Sequence, residues 1–404
     1  MTEKSILIFG AGKIGRSFIG QLFGQAGYHV VFADVDNKLI EELNRRKSYP
    51  VVIKGETEET ILVHNVRAVA GFNAEAVKAE IAKTSLMALS VGKEALEKII
   101  PLIAEGLLLR QELSPGNELD IIIAENIRSA GTFIRSKLEL LLPEDYPLSN
   151  LVGLIETSIG KMVPLMTEED LKDDPLLLFA EPYNTLILDK QSFKKEIPDV
   201  PGLSPKDHIQ AWVDRKAFVH NLGHATAAYV GNFYHPEKQY VYEVLEFDNI
   251  LEATRRTMIQ AAEILVQFYP NDFILPDLVE HINDLLHRFQ NRALKDTIFR
   301  VGQDLPRKLG INDRFAGIIK MAMQKKLDYS LIINAMAFGI LFKKADEFGN
   351  LAPKDDLFLK MTKKEGLEKT LVALCGFHPD YDSQLIGELK TRYLDLVEEA
   401  KILT

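Results

Sequence analysis

Apolar and polar positions follow two different rhythms along the first half of the chain. SILIFG (5–10) is a short apolar run closed by a glycine, and KIGRSFIGQLFGQAGY after it repeats its apolar positions at helical spacing. The pair recurs. HVVFADV (29–35) reads as a strand and NKLIEELNRRK as a helix with Asn37 as its N-cap. LMALSV (86–91) and DIIIAEN (120–126) read as buried strands, each followed by a helical pattern. Strands and helices in alternation predict βαβ units around a parallel sheet. ETEETILVHNVRAVAG breaks the rhythm with period-two alternation and predicts an antiparallel insertion.

EIPDVPGLSP (196–205) concentrates three prolines and a glycine, which predicts a domain boundary between residues 1–200 and 201–404. Past it the β-rich runs fade. Helical patterns follow over roughly 206–232, 238–268, 275–300, 313–325, 329–345 and 380–402. The expected architecture is an N-terminal α/β domain of Rossmann type and a C-terminal all-helical domain, with ligands favouring the cleft between two such domains. LIINAMAFGILF (331–342) is the longest apolar run, well short of the roughly 20 residues a membrane span needs, and reads as a buried helix.

Composition changes this picture little. At 404 residues, with 47% hydrophobic and 26% charged positions, the chain is ordinary globular protein. A formal net charge of −10 with no basic tract argues against nucleic-acid or anionic-membrane partners. The lone cysteine, Cys375, cannot form an internal disulfide, which fits a reducing compartment. The opening MTEKSILIFGAG lacks the pattern of a secretory leader, so a cytoplasmic location is expected.

The first candidate chemistry is the loop FGAGKIGRSF, where Gly10, Ala11, Gly12, Lys13, Ile14 and Gly15 form a G-x-G-x-x-G between strand and helix. Its glycines suit a tight turn, close approach to a pyrophosphate and helix–strand packing, and the helix start aims free N–H groups at phosphate. Asp34 ends the next strand 24 residues after Gly10, placed to accept from a ribose 2′-hydroxyl and to repel a 2′-phosphate. NAD is therefore expected over NADP, with Arg45 and Arg46 read as a solvated helix end. Ser90, Val91 and Gly92, at the end of another strand, fall on the same sheet edge and are candidate cofactor contacts, or simply an ordinary strand-to-helix turn.

The second is RKAFVHNLGHATAAY (215–229). On an α-helix His220, His224 and Asn221 lie about 40°, 80° and 140° from Lys216, so all four side chains can face one ligand. Oxidising an alcohol requires that its proton be removed, by a metal that acidifies it or by a side chain. His220 and His224 have metal-ligand spacing, but no third ligand can be assigned, so no metal is expected. A lysine base needs its pKa lowered by burial or nearby cations; Arg215, Arg300, Arg307 and Lys308 are candidates for that field. Asn221 and Asn126 are candidate donors to a developing alkoxide. Each residue taken singly is more often plain structure; their joint occurrence behind a dinucleotide loop is the signal.

Lys216, Asn221 and His224 in K-x-x-x-x-N-x-x-H, with G-A-G-x-I-G-R-x-F-I-G at the start, resemble the polyol-specific long-chain dehydrogenases. The similarity runs through IIIAENIRSAG, LDKQSFK and LKDTIFRVGQDLPRKL, and is nearest to members acting on mannitol 1-phosphate. The resemblance implies a metal-independent enzyme, often a monomer or at most a weak homo-oligomer, that interconverts a polyol phosphate and fructose 6-phosphate with NAD(H). It implies Lys216 as general acid/base, Asn126 and Asn221 as an amide pair at the reacting oxygen, and His224 as a residue orienting substrate. Lys190, Arg300, Arg307 and Lys308 are the candidate phosphate-binding cations. The chain departs from the family pattern at SIGKMVP (158–164) and EPYNTLIL (181–188), which bears on the substrate rather than the chemistry. Alternatives are a dehydrogenase of an unphosphorylated polyol or sugar acid, a 6-phosphogluconate-type oxidative decarboxylase, and a non-catalytic NAD sensor. The last has no need of a proton acceptor.

Overall fold

The strands expected in the first half are present in a computed structural model, which describes residues 4–164 and 166–403. They are β1 (Ser5–Phe9), β2 (His29–Asp34), β3 (Ser48–Lys54), β4 (Glu58–His64), β5 (Val66–Ala70), β6 (Leu86–Leu89), β7 (Leu119–Ile123), β8 (Val152–Ile159), β9 (Leu178–Ala180), β10 (Leu186–Asp189) and β11 (Leu203–Lys206). Eight form one sheet in the order β11-β10-β8-β7-β6-β1-β2-β5, parallel except where β10 runs against β8. A small second sheet, β4-β3-β9, stands apart.

Successive β1 residues go to opposite faces. Ile6 and Ile8 join one buried cluster with Phe18, Val30, Phe32 and Ile122. Leu7 and Phe9 join another with Ile81, Met87, Leu89 and Ile121. A sheet covered on both faces needs apolar side chains at every position, which is why these strands read as unbroken apolar runs. The same pairing lines up the carboxyl ends: Gly10 N–H donates to the Ala33 carbonyl, Ser90 N–H to Phe9, and Ala124 N–H to Leu89.

Two expectations for this half are corrected. The period-two stretch is split. Residues 58–64 pair antiparallel with β3, but Val66–Ala70 belongs to the main sheet, parallel to β2. The helix Asn37–Arg46 is capped by Asp36, whose carboxylate accepts from the Lys38 and Leu39 N–H groups, so Asn37 is its first turn. Residues 196–205 lie inside the first compact unit, because Leu203–Lys206 pairs with β10; the two units divide between Val213 and Asp214.

The second unit is helical. Its central helix, Leu222–Tyr234, is buried along nearly its whole length and packs on Asp248–Phe268, Ile298–Gly302 and Ser330–Ile340. Small residues permit that closeness: a side chain at Gly231 would meet Val244 at 2.6 Å. The pattern over 275–300 is broken after Phe289, where the left-handed Lys295 (φ 49°) and the capping side chains of Asn291 and Thr297 redirect the backbone. Helices Pro353–Glu365 and Leu367–Cys375 were not anticipated, although proline at the first turn and Gly376 in the left-handed region after the second are ordinary boundary signals. No helix among the described residues is long and apolar enough to cross a membrane.

Tyr229, fully buried, donates its hydroxyl to the Gly302 carbonyl at 3.0 Å. Replacing it with phenylalanine is expected to cost about 1–2 kcal/mol, read as a lower urea midpoint; an unchanged midpoint would mean that bond adds nothing net.

Candidate active site

The glycine loop is shaped by its own packing. Gly10 sits at φ 90°, and a side chain there would lie 2.5 Å from the Ser90 carbonyl oxygen. At Gly15 it would lie 1.9 Å from the Gly10 carbonyl. Gly12 is different: nothing stands within 4 Å of where its side chain would project. Nothing in the surrounding fold requires glycine there, whereas a phosphate brought onto the loop would. The loop therefore fits a dinucleotide on an observation of this chain.

Asp34 is built into the same loop. Its Oδ2 accepts from Ala11 N–H at 2.6 Å, while Oδ1 accepts from the N–H groups of Val35 and Asp36. Three bonds leave acceptor capacity for a ribose hydroxyl. Arg45 and Arg46 are held by Glu42, and Arg46 also by Asp174, so the two arginines that bear on the NAD preference have carboxylate partners. Ser90 donates to the Phe9 and Gly10 carbonyls, and the N–H groups of Val91 and Gly92 are taken by Glu125. Lys13 and Ile14 lead into the helix, the Lys13 carbonyl accepting from Ser17. Asn126 follows Glu125, exposed at the carboxyl edge of β7.

Arg16 was part of the motif but its work was not legible. It is buried, donates from Nε to the Ala11 carbonyl at 2.6 Å and from Nη1 to Leu176 at 2.7 Å, and its own carbonyl accepts from Tyr49. One side chain thus ties the loop to the segment before β9. The Tyr49 hydroxyl reaches into the helix at Gly15–Gly20, which is wound as a π-helix. The two stretches that depart from the family pattern meet each other: Lys161 donates to Asn184 at 2.8 Å, and the Met162 N–H to Glu181.

In the second unit Lys216–Asn221 is also a π-turn, between helices Ile209–Arg215 and Leu222–Tyr234. The angles assumed for an α-helix therefore change. Hydrogen bonding from i to i+5 widens the turn and brings Lys216 and Asn221 nearer one face than 140°. Burial lowers the Lys216 amine and the Arg314 guanidinium lowers it further, to about 8. Arg314 is itself buried, donating to the Asn221 carbonyl at 3.3 Å and to Asp313.

His220 and His224 are pushed well below the usual imidazole range, by burial first and then by neighbouring cations, Arg288 for one and Arg300 for the other. Both are neutral near pH 7. The His224 ring stacks on Phe289, centroids 4.5 Å apart. Its Nε2 lies 3.3 Å from Asp296 Oδ2, within ion-pair range, yet the alignment makes no hydrogen bond and the imidazole carries no charge. We regard the contact as polar packing. Among the described residues no group of three or more His, Cys, Asp or Glu is placed to hold a metal.

Three of the four candidate phosphate cations, Arg300, Arg307 and Lys308, line one cleft, and Lys190 is not among its lining residues. Arg300 is paired with Asp296, Lys308 is buried and bonded to the Val301 carbonyl, and Arg307 is paired with Asp304. Lys190 is an exposed residue of the first unit, paired with Asp207 at 2.9 Å. Sequence reasoning missed Arg314, Phe289 and Asp296. Only Asp296 left a trace, four residues before Arg300 in the quoted LKDTIFRVG.

Residues 4–202 match the mannitol dehydrogenase Rossmann domain and residues 208–382 the mannitol dehydrogenase C-terminal domain. The chain belongs to the mannitol dehydrogenase family, one of polyol dehydrogenases. Its fold is shared with Pseudomonas fluorescens mannitol 2-dehydrogenase, solved as a ternary complex with NAD and D-mannitol. That match has 15% identity and a TM-score of 0.78, covering 100% of this chain and 94% of that one. A D-sorbitol dehydrogenase in substrate-free form matches at 17% identity, with a TM-score of 0.77 and coverage of 98% and 94%.

Arg16→Met is expected to weaken NADH binding roughly tenfold, the worth of one charge-assisted bond on a loop carbonyl. Fluorescence titration measures it. Unaltered affinity in a protein of unaltered melting temperature would show that the loop keeps its shape without the guanidinium.

Proposed function

We propose that this member of the mannitol dehydrogenase family is an NAD-dependent polyol-phosphate dehydrogenase that interconverts mannitol 1-phosphate and fructose 6-phosphate, the reaction of a mannitol-1-phosphate 5-dehydrogenase. The observation that carries it is the π-turn at 216–221, which sets a buried amine with Asn221 and beside the Arg314 guanidinium, one turn before His224. A sensor would gain nothing from such an amine. When bound, NAD supplies the hydride acceptor, and NADH the donor in reverse.

The protein's own groups handle the proton and the charge. Lys216 Nζ, unprotonated, accepts the proton of the carbinol hydroxyl; as an ammonium it returns that proton to the ketose oxygen. An ordinary lysine amine would stay protonated at neutral pH, so depression toward about 8 matches the group to both directions. The side-chain amides of Asn221 and Asn126 donate to the developing alkoxide. Neutral His224, stiffened by Phe289, is suited to hydrogen-bond a substrate hydroxyl. Gly10, Ala11, Gly12, Lys13, Ile14 and Gly15 hold the pyrophosphate, Asp34 the adenosine ribose, and Ser90 to Gly92 flank them at the sheet edge. This chemistry calls on no metal.

The phosphorylated substrate is favoured by the surplus of cations around His224, where Arg300, Lys308, Arg314 and Arg288 all depress the imidazole. The alternative, an unphosphorylated polyol or sugar acid, accords with the D-mannitol held by the P. fluorescens enzyme. NADH oxidation measured with fructose 6-phosphate, fructose, mannose 6-phosphate and fructuronate separates them; the proposal requires fructose 6-phosphate to be preferred. Carbon dioxide release would instead mark the decarboxylase.

Lys216→Ala is expected to reduce turnover by about 10²–10⁴-fold with NADH affinity nearly unchanged. Retention of most of the rate would remove Lys216 from its role. In the wild-type enzyme polyol oxidation needs the neutral amine, so its rate should rise with pH and level off above about 8, while ketose reduction needs the ammonium and should fall over the same range. Profiles flat across that range in both directions would contradict the assignment.

A further inference from the structure

Beyond His224 the second unit opens into a cleft of about 500 Å³ lined by Arg300, Gln303, Asp304, Arg307, Lys308 and Lys354 among others. Four cations face one carboxylate there. Asp304 is shared, 2.5 Å from Arg307 Nε and 3.4 Å from Lys354 Nζ, while Arg307 Nη1 also lies 3.5 Å from Asp313. Asp355, nearby, spends its oxygens on the N–H groups of Asp304 and Leu305. The two inner cations are under-used. Lys308 is 6% exposed and gives its ammonium one hydrogen bond, to the Val301 carbonyl, out of three it can donate. Arg300 is held by Asp296, and its buried Nε has no hydrogen-bond partner.

We infer that this cleft seats the phosphate monoester of the substrate, with Arg300 and Lys308 as its floor and Arg307 and Lys354 as its rim; this rests on the phosphorylated substrate proposed above. A dianion with three terminal oxygens satisfies a guanidinium fork and two ammonium groups at once, which a hydroxyl cannot. The cleft is also coupled to the chemistry within the same unit. Arg300 holds Asp296, Asp296 contacts His224, and His224 stands eight residues after Lys216 on the continuous helical run. A ketose phosphate has its carbonyl toward one end and its phosphate at the other, the arrangement this line of residues accommodates. Of the four cations first considered, Lys190 has no part in it, and Lys354, from the helix Pro353–Glu365, is added.

The test uses inorganic phosphate as the probe and the full-length enzyme. Phosphate, but not acetate, should compete with fructose 6-phosphate, and isothermal titration should register its binding to the protein alone. The double variant Arg307→Gln, Lys354→Gln, both at exposed positions, should raise KM for fructose 6-phosphate and the dissociation constant of phosphate together, roughly tenfold, with kcat nearly unchanged. Lys308→Met should do so more strongly, its melting temperature reporting on the fold. If phosphate binding is unaltered in these variants, the cleft is not the seat, whatever the substrate proves to be. If phosphate binds and the variants lose it, yet only unphosphorylated substrates turn over, the seat stands and the proposed substrate falls.

Discussion

The chemistry of the site depends on one ammonium group kept short of water and next to another cation. Lys216 lies where burial and the Arg314 guanidinium both disfavour its charge. That costs stability, because a buried amine and a buried guanidinium repel. The fold meets the cost with a closely packed, largely buried helix following the turn. Leu222–Tyr234 is surrounded by apolar neighbours, its alanines and glycines letting Met258 and Val244 close in. A looser packing would admit water and return the amine to its ordinary range.

The same cationic environment governs its neighbours. His220, His224 and His281 are all held neutral, the last pulled to about 3 by burial, Arg215 and Arg288. Neutral imidazoles among arginines can exchange hydrogen bonds with hydroxyl groups without adding positive charge beside the amine. The first unit solves a different problem. Its loop must be rigid yet open at one point, and it is: Gly10 and Gly15 are locked by contact, Asp34 and Arg16 pin Ala11 from both sides, and Gly12 alone faces free space.

Much of this was legible from periodicity. The parallel sheet, the glycine loop and the acidic residue at the end of β2 follow from local patterns, since each is fixed by neighbours within one βαβ unit. The helical second half was legible as a class, but its breaks were not: the turn at Lys295 and the helix Pro353–Glu365 depend on capping and on tertiary packing rather than on apolar spacing. Neither π-turn left a mark in the sequence. At Gly15–Gly20 it coincides with a hydroxyl, Tyr49's, arriving from a residue 33 positions away, which no local window contains. Arg314 and Phe289 were invisible for the same reason, being brought to the lysine turn only by folding. The cations at 300–308 were visible as charges, but which of them shared a cleft was a matter of geometry.

The most direct test of the central claim is the titration of Lys216 itself. Lysine side chains labelled with carbon-13 and assigned by comparison with Lys216→Ala report each amine's protonation through its chemical shift. The account predicts one resonance titrating near 8, absent from the variant. A Lys216 resonance titrating near the ordinary 10.5 would contradict it.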